Sequence, residues 1–181
     1  MAQVGQTTPS GGREWAINTL GGPLRQVVVP VNCTLNHIGV WVRESTTANS
    51  NDLRGAVYTT GGILVHQTAN LSATIGSTVS FSLEQLLFSG ESLTAGTYIL
   101  AVSAGPGTTN AICQGQNDTA GSPTYIVADS GSLHPSFPAD ASTFIHSDAA
   151  RQWDIYLDYT EAASASQAPR SSAFLRMLMN N

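Results

Sequence analysis

The stretch of sequence that decides the fold is TLNHIGVWVRE, at residues 34–44. Ile38, Val40 and Val42 fall at every second position of this stretch. Successive side chains of a β-strand point to opposite faces of its sheet, so this period of two predicts a strand with one buried face. Strands of antiparallel sheets have this pattern, whereas strands of parallel sheets usually form continuous apolar runs. The stretch therefore predicts a strand of an antiparallel sheet.

Four more blocks follow, and several of them alternate in the same way. They are LRGAVYTTGGILVHQTA at 53–69, GSTVSFSLEQ at 76–85, LTAGTYILAVSAG at 93–105 and RQWDIYLDYT at 151–160. Val79, Phe81 and Leu83 alternate with serine and glutamate, which predicts that these three side chains face the core. In the last block every second residue from Trp153 to Tyr159 is apolar or aromatic, and Asp154, Tyr156 and Asp158 fall on the other face.

The spacing of the blocks predicts an all-β fold. Strands are expected at about residues 25–31, 34–44, 53–60, 63–69, 77–84, 97–104, 124–129 and 151–160. Gly61 and Gly62 lie between two β-like runs and predict a tight hairpin turn. Short strands separated by turn signals are typical of sandwiches and barrels, and about eight strands match a double-sheet jelly roll. We therefore expect an antiparallel β-sandwich of the jelly-roll type.

The composition of the ends predicts three regions. Residues 1–23 are rich in Gly, Thr, Ser and Gln and are expected to form an extended N-terminal arm, and residues 24–160 are expected to form the sandwich. Residues 161–181 begin with the low-complexity stretch EAASASQAPRSS and end in AFLRMLMNN, which predicts a linker and a short apolar docking segment. Two long loops are expected at 105–123 and 130–150, and loops of this length are usually functional or ordered by a partner.

Six apolar residues in the two ends are candidates for docking onto a partner. Trp15 and Ile17 are the strong apolar anchors of the arm, and they are also consistent with a first edge strand. If a helix begins near Pro169, four apolar residues of the last segment share one of its faces. These four are Phe174, Leu175, Leu178 and Met179. A helix this short is marginal alone in water, so its apolar face must pack against its own domain or a neighbouring subunit.

The charge of the chain argues against nucleic-acid binding. The net charge is −5, and all seven basic residues are scattered arginines. Neutralising phosphates requires clustered Lys and Arg. Only 10% of the residues are charged, compared with roughly 25% in average domains. Few charges would have to be desolvated in a close contact, so this composition favours an assembled structural protein over a freely diffusing enzyme.

The sequence predicts no disulfide, no secretory signal and no membrane helix. We interpret Cys33 and Cys113 as two free, buried thiols, although a disulfide between them is an open alternative. The first fifteen residues, MAQVGQTTPSGGREW, contain neither a basic region nor an apolar region of a signal peptide. Unbroken apolar runs such as Val27–Val29 are far shorter than the roughly 20 residues of a transmembrane helix.

With the strands placed, the blocks resemble a jelly-roll β-sandwich module of tailed-phage virion structural proteins that also occurs in bacterial surface proteins. The resemblance covers about residues 25–105, with LTAGTY at 93–98 as its most distinctive motif and 153–159 matching the closing strand. It implies a carbohydrate-binding or virion display domain without a shared catalytic set. The chain differs from the module in its N-terminal arm and its C-terminal apolar tail.

The candidate chemistry of the side chains is sparse. No nucleophile motif is present and the histidines are scattered, so we expect neither an enzyme nor a cofactor. Solvated loop acids are the favoured interpretation of Asp118, Asp129 and Asp140, with a calcium site as the alternative. Trp41 and Tyr156 fall on the polar faces of their strands, where an outward aromatic ring can stack on a sugar.

The resemblance and the composition together predict a non-enzymatic structural protein of a phage virion. The expected role is capsid decoration, in which the protein reinforces the shell after assembly in the host cytoplasm. Its expected partners are the major capsid protein or another virion protein, and further copies of itself, a trimer being common in such proteins. The alternative is a carbohydrate-binding module, or an adhesion module of a tail or fibre.

Overall fold

The computed structural model describes residues 1–10, 13–17, 21–44, 49–75, 80–105, 111–117, 123–127, 136–147 and 151–163. Within these ranges there is no helix, and every regular element is a β-strand. The strands are β1 (Ala2–Gly5), β2 (Arg13–Ile17), β3 (Gly21–Val29), β4 (Cys33–Glu44), β5 (Asn49–Thr59), β6 (Leu64–Gln67), β7 (Leu71–Ile75), β8 (Ser82–Leu87), β9 (Ser92–Leu93), β10 (Gly96–Ala104), β11 (Ala111–Asn117), β12 (Pro123–Val127), β13 (Ile145–Ser147), β14 (Arg151–Trp153) and β15 (Ile155–Glu161). All their pairings are antiparallel. The prediction of an all-β antiparallel fold is confirmed.

The described strands form two sheets. The first sheet has eight strands in the order β1-β15-β4-β11-β14, with β2 beside β11, and with β8 and β9 beside β4. The second has seven strands in the order β13-β12-β3-β10-β5-β6, with β7 beside β5. The long strands alternate between the sheets along the chain, since β3, β5 and β10 belong to the second sheet and β4, β8 and β11 to the first. This arrangement is consistent with a β-sandwich.

The main core lies between the two sheets. On β4 the predicted inward residues Ile38, Val40 and Val42 are fully buried, which confirms the phase of the deciding stretch. The second sheet contributes the inward residues of β10, among them Leu100 and Val102. Burying one such side chain contributes roughly 1.5–3 kcal/mol, so these alternating positions hold the sheets together.

A second, smaller core covers the other side of the second sheet. Residues 136–147 lie across that side, and Leu64 N donates a hydrogen bond to the carbonyl of Ala139 at 2.9 Å. The ring of Phe137 meets the ring of Tyr58 edge-on, with 6.2 Å between the ring centroids. Both rings are buried. The described part of the predicted 130–150 loop thus packs on its own domain, and its residues 145–147 form β13 rather than a loop.

The predicted hairpin turn at Gly61 and Gly62 is confirmed. Thr59 N donates to the carbonyl of Ile63 at 2.9 Å, and Gly62 N donates to the carbonyl of Thr59 at 3.0 Å. Gly62 has a φ of +86°, and a Cβ at this position would lie 2.5 Å from the backbone nitrogen of Ser142. A glycine is required here both for the left-handed conformation and for the close approach of the covering segment.

The N-terminal residues differ from the predicted arm. In the described part of residues 1–23, β1 pairs with β15, β2 pairs with β11, and β3 begins at Gly21. An extended polar segment satisfies its backbone hydrogen bonds by adding to a sheet edge. These residues therefore belong to the sandwich itself. The predicted linker and tail lie outside the described residues from 164 onward.

The prediction of an unbroken loop at 105–123 is wrong, because residues 111–117 form β11. Its sequence, AICQGQN, has no regular alternation, and three of its seven residues carry amide side chains. Gly115 is required by packing, since a Cβ there would lie 2.6 Å from Cε3 of Trp153. Such a requirement comes from a residue distant in sequence, so the local pattern could not indicate it.

Cys33 and Cys113 are free and buried, as predicted. Cys113 pairs with Val42 of β4, whereas Cys33 lies at the start of the same strand. Nine residues of β-strand span about 30 Å, which is far beyond the roughly 7 Å limit between the Cα atoms of a disulfide. The register of β4 and β11 therefore excludes a bond between these two thiols.

Candidate binding face

The candidate site lies on the outer face of the first sheet, which is the face turned away from the second sheet. The inward residues of β4 fix the phase of the strand, so its odd-numbered residues from 37 to 43 point outward. These residues are His37, Gly39, Trp41 and Arg43. The outer face therefore combines an imidazole, an indole and a guanidinium along a single strand.

β8 presents its apolar side chains to the same face. Residues directly opposite each other on paired strands project on one side of the sheet. Leu87 pairs with His37, and Leu83 pairs with Trp41. The prediction that Leu83 faces the core is therefore wrong, because it shares the outer face with Trp41.

The reversed phase of β8 has a physical cause at its other end. Leu86 is the inward residue opposite Ile38, and it is fully buried in the main core. Leu86 fixes the phase of β8, so the preceding inward positions are Glu84 opposite Val40 and Ser82 opposite Val42. The hydroxyl of Ser82 lies 3.3 Å from the carbonyl of Val42 and 3.2 Å from the carboxylate of Glu84, so these polar groups satisfy each other.

Four residues of β4 and the β8 region form what we call the apolar strip. They are Trp41, Phe81, Leu83 and Leu87. Leu87 is 60% exposed, and the other three are partly exposed. Phe81 joins the strip through Arg43, whose guanidinium carbon lies 5.5 Å from the ring centroid. Arg43 is in turn paired with Glu14 of β2 at 2.6 Å, so its charge is neutralised at the border of the strip.

Beside the strip, the ring of Tyr156 lies directly over Gly39. The two residues are paired across β15 and β4. A Cβ at Gly39 would lie 2.6 Å from the hydroxyl oxygen of Tyr156 and closer still to two ring carbons. Tyr156 is only 3% exposed as a result. Burial raises the pKa of its phenol, so the hydroxyl stays protonated at neutral pH and serves as a hydrogen-bond donor.

His37 lies against Tyr156 on the same face. The two rings meet edge-on with 5.7 Å between centroids, and His37 Nε2 is 3.4 Å from the tyrosine hydroxyl. Burial lowers the pKa of His37, and the charge of Asp158 opposes that shift. The imidazole is therefore neutral at pH 7. This pair does not activate a nucleophile, because its hydroxyl belongs to a phenol whose pKa is raised.

Asp158 holds the first strand of the chain against the last one. Its carboxylate accepts a hydrogen bond from Gln3 Nε2 of β1 at 2.9 Å and another from Asn36 Nδ2 at 2.7 Å. Asp158 is buried, and Nδ1 of His37 lies 4.0 Å from its carboxylate. A buried carboxylate needs such donors, since its desolvation is otherwise costly. The alternation of the last block placed Asp158 on a polar face but gave no sign of this contact.

The backbone at Asp154 forms a junction between four strands. β14 runs antiparallel to β11 and ends at Trp153, and β15 begins at Ile155 and runs antiparallel to β4. Asp154 lies at the apex, where its N–H donates to the carbonyl of Gln114 at 2.9 Å. Its carbonyl accepts from Trp41 N at 3.4 Å. β4 and β11 are paired on one side of this apex and separated on the other.

The side chain of Asp154 ties the N-terminal segment to this junction. Its carboxylate is fully buried and accepts hydrogen bonds from Ser10 N at 2.8 Å and Ser10 Oγ at 2.6 Å. Burial raises the pKa of the Cys113 thiol well above its ordinary value, and the charge of Asp154 adds to this shift. Asp154 thus anchors the segment around Ser10 to the junction.

Two polar atoms near the junction have no hydrogen-bond partner. Trp41 Nε1 is a donor and Gln114 Oε1 is an acceptor, and both atoms are shielded from solvent. Buried polar groups of this kind are uncommon and are often satisfied by a water or a ligand. Gln114 was not a candidate in the sequence, because AICQGQN gave no signal of a strand.

The predicted site residues differ in their exposure to solvent. Ile17 is fully buried in the main core, so the prediction that it docks onto a partner is wrong. Trp15 lies on β2 opposite Cys113, and its side chain lies outside what the structure describes. Trp41 is partly exposed and available for contact, whereas the ring of Tyr156 offers almost no free surface. Phe174, Leu175, Leu178 and Met179 lie outside the described residues.

The described residues offer little support for metal chemistry. No group of three His, Cys, Asp or Glu side chains is arranged around a common point within them. Asp140 is exposed, and a hydrogen bond from Ser142 N at 2.9 Å caps its carboxylate. The hydrogen bonds from Ser142 lower the pKa of Asp140. Asp118 and Asp129 lie outside the described ranges.

The described residues also contain no helix that is long and apolar enough to cross a membrane. No protein family, no curated protein and no solved structure was found to match this chain. The interpretation of the outer face therefore depends on its own geometry.

Proposed function

We propose that this protein is a non-enzymatic structural protein of a phage virion, and that it decorates the capsid and reinforces it by contacts with neighbouring subunits. The observation that carries the proposal is the apolar strip. Trp41, Phe81, Leu83 and Leu87 expose apolar surface on one face of the first sheet, with Gln85 between Leu83 and Leu87. Apolar surface clustered on one face of a soluble domain marks a contact with another molecule.

The surroundings of the strip suit a protein contact. Two charged groups at its border already have partners, since Arg43 binds Glu14 and the buried carboxylate of Asp158 accepts hydrogen bonds from Gln3 and Asn36. A partner that covers the strip would therefore desolvate few free charges, which are the expensive part of an interface. The low charge content of the whole chain acts in the same direction.

The virion assignment rests on the resemblance of the strand blocks to phage virion modules. We include the jelly roll in the proposal, because the long strands alternate between the two sheets along the chain. The described part of residues 1–23 is occupied within its own sandwich, so the proposal assigns contacts between subunits to residues 161–181. The partners would be the major capsid protein or another virion protein, and further copies of this chain, a trimer among the possible arrangements.

Truncation after residue 163 tests this function. The shortened chain keeps every described strand, and far-ultraviolet circular dichroism with a thermal melt checks that it folds. We expect the full chain to bind purified particles that lack it and to raise their resistance to heat, and we expect the truncated chain to do neither. A folded, truncated chain that binds and protects particles as the full chain does would contradict the proposed role of the tail.

A second candidate function is glycan binding on the same face. Trp41 favours it, because its ring is partly exposed on the outer face. Tyr156 contributes little exposed surface, so a sugar would stack on Trp41 alone. A glycan array probed with the full chain and with Trp41→Ala tests this function. Binding that disappears in the variant supports it, and an array without signal removes it.

A further inference from the structure

The described chain ends close to the point where β4 begins. β15 ends at Glu161, which pairs with Cys33 at the start of β4, and Ala162 N donates to the carbonyl of Asn32 at 2.9 Å. The chain therefore leaves the first sheet at the end where β4 begins. The strip starts four residues further along β4, at Leu87 opposite His37, which corresponds to about 13 Å.

The chain beyond that point is long enough to reach across such distances. Residues 164–173 precede the apolar segment 174–179, and ten extended residues span up to about 33–36 Å. From Leu87 to Phe81, which lies beside Arg43, the strip runs along six residues of strand, or about 20 Å. The helix of about ten residues expected from Pro169 onward would be about 15 Å long, so its apolar face covers most of the strip.

The charges of the two parts are complementary. Arg170 and Arg176 are the charged side chains after Glu161, so the net charge of −5 divides into −7 for residues 1–161 and +2 for residues 162–181. Two sandwich domains repel each other, whereas the basic tail of one copy is attracted to the acidic body of another. Complementary charge of this kind speeds association and selects the partner.

We propose that the apolar strip binds the apolar segment 174–179 of a neighbouring copy of this chain. The inference rests on the proposed function and specifies its contact. Each copy then carries one strip and one segment, so the contact is heterologous and joins copies head to tail. Such contacts close into rings or extend along a lattice, depending on the rotation between neighbours.

The first test is a cysteine cross-link between separately prepared full chains. One chain carries Leu87→Cys and the other carries Leu178→Cys, while the natural Cys33 and Cys113 are buried and free. We expect a covalent dimer when the two chains are mixed and oxidised. Ile63→Cys replaces Leu87→Cys in the matched control, because Ile63 is 50% exposed but lies outside the strip. The control is expected to give at least tenfold less dimer.

The second test measures self-association of the full chain by sedimentation. Leu87→Asn is expected to weaken it about tenfold or more, since the leucine that the proposed contact would bury is replaced by an amide. Ile63→Asn is expected to leave it unchanged. Equal cross-linking of both cysteine variants would overturn the inference. So would a cross-link that forms only when both cysteines lie in one chain, or a glycan that binds the strip while self-association is unaffected.

The two proposals fail in different ways. If Leu87→Asn abolishes self-association while the protein has no affinity for particles, the head-to-tail contact stands and the decoration role fails. If the protein binds particles through its tail but the mixed chains give no dimer, the decoration role stands and the contact between copies is refuted.

Discussion

Replacing Gly39 by alanine isolates the contact between β4 and the ring of Tyr156. Gly39 has no positive φ, so alanine fits the backbone, and only its methyl group is added. That methyl group would lie 2.6 Å from the tyrosine hydroxyl and nearer still to two ring carbons. The ring must therefore leave its site above β4, together with its contact to His37.

The expected cost follows from this overlap. Inserting a methyl group into a packed site costs about 1–3 kcal/mol, and the backbone preference of alanine over glycine within a strand offsets roughly 0.5–1 kcal/mol of it. We expect Gly39→Ala to lower the free energy of unfolding by about 1–2 kcal/mol. In the Tyr156→Val background the methyl group has room, so the same substitution is expected to be neutral or stabilising by about 0.5 kcal/mol.

Urea unfolding followed by tryptophan fluorescence measures all four proteins of this double-mutant cycle. Gly61→Ala is the matched control, because Gly61 is exposed and a Cβ there would have its nearest neighbour 3.7 Å away. The control is expected to change the free energy of unfolding by less than about 0.5 kcal/mol. If Gly39→Ala costs the same with and without the tyrosine ring, the ring does not occupy the space above Gly39, and our reasoning is refuted.

Three further predictions concern polar and thiol groups. Ser10→Ala removes a hydrogen bond to the buried carboxylate of Asp154 and is expected to lower the free energy of unfolding by about 1.5–3 kcal/mol. Urea unfolding measures this change, and a value below about 0.5 kcal/mol would contradict the anchoring role of Asp154. His37 has a pKa below that of the unfolded chain, so its contribution to stability is complete above about pH 6.5 and is lost as the pH falls through the lower folded value. His37→Asn should flatten that part of the stability–pH profile, and an unchanged slope would show that other groups set it. Burial raises the pKa of both Cys33 and Cys113, so a thiol reagent is expected to label neither in the native protein and both in denaturant; fast native labelling of Cys113 would show that the main core opens readily.

The alternation of apolar and polar residues predicted the fold correctly where one face of a strand is buried in the core. Residues 38, 40 and 42 of β4 pack inward as expected, because β4 is central and its inner face is covered along its length. The Gly61–Gly62 turn was also predictable, since the turn geometry itself requires glycine. In such places a local physical requirement and the tertiary structure agree.

The prediction failed where packing between distant segments decides. β8 is anchored by Leu86, so its alternation inverts and Leu83 turns outward. In β15 both faces are buried from Ile155 to Tyr159, because the ring of Tyr156 lies over Gly39 and Asp158 is covered by its hydrogen-bond partners Gln3 and Asn36. The inverted phase of β8 and the burial of both faces of β15 also limited the prediction of the candidate site. Trp41 could be predicted from its strand, whereas the apolar neighbours that make it part of a strip could not.

The pairing of β1 with β15 also determines when the protein can fold during synthesis. Gln3 and Asp158 are hydrogen-bonded although 155 residues separate them in the sequence, and the backbone of Asp154 is hydrogen-bonded to both β4 and β11. A nascent chain therefore has open sheet edges until residues 151–161 have left the ribosome. Pairings of such long sequence separation form slowly, and open edges in the meantime can pair with other chains. The first sheet is thus completed only when β15 pairs with β1, and the yield of the protein is expected to depend on how well the unfinished sheet is kept apart from other chains.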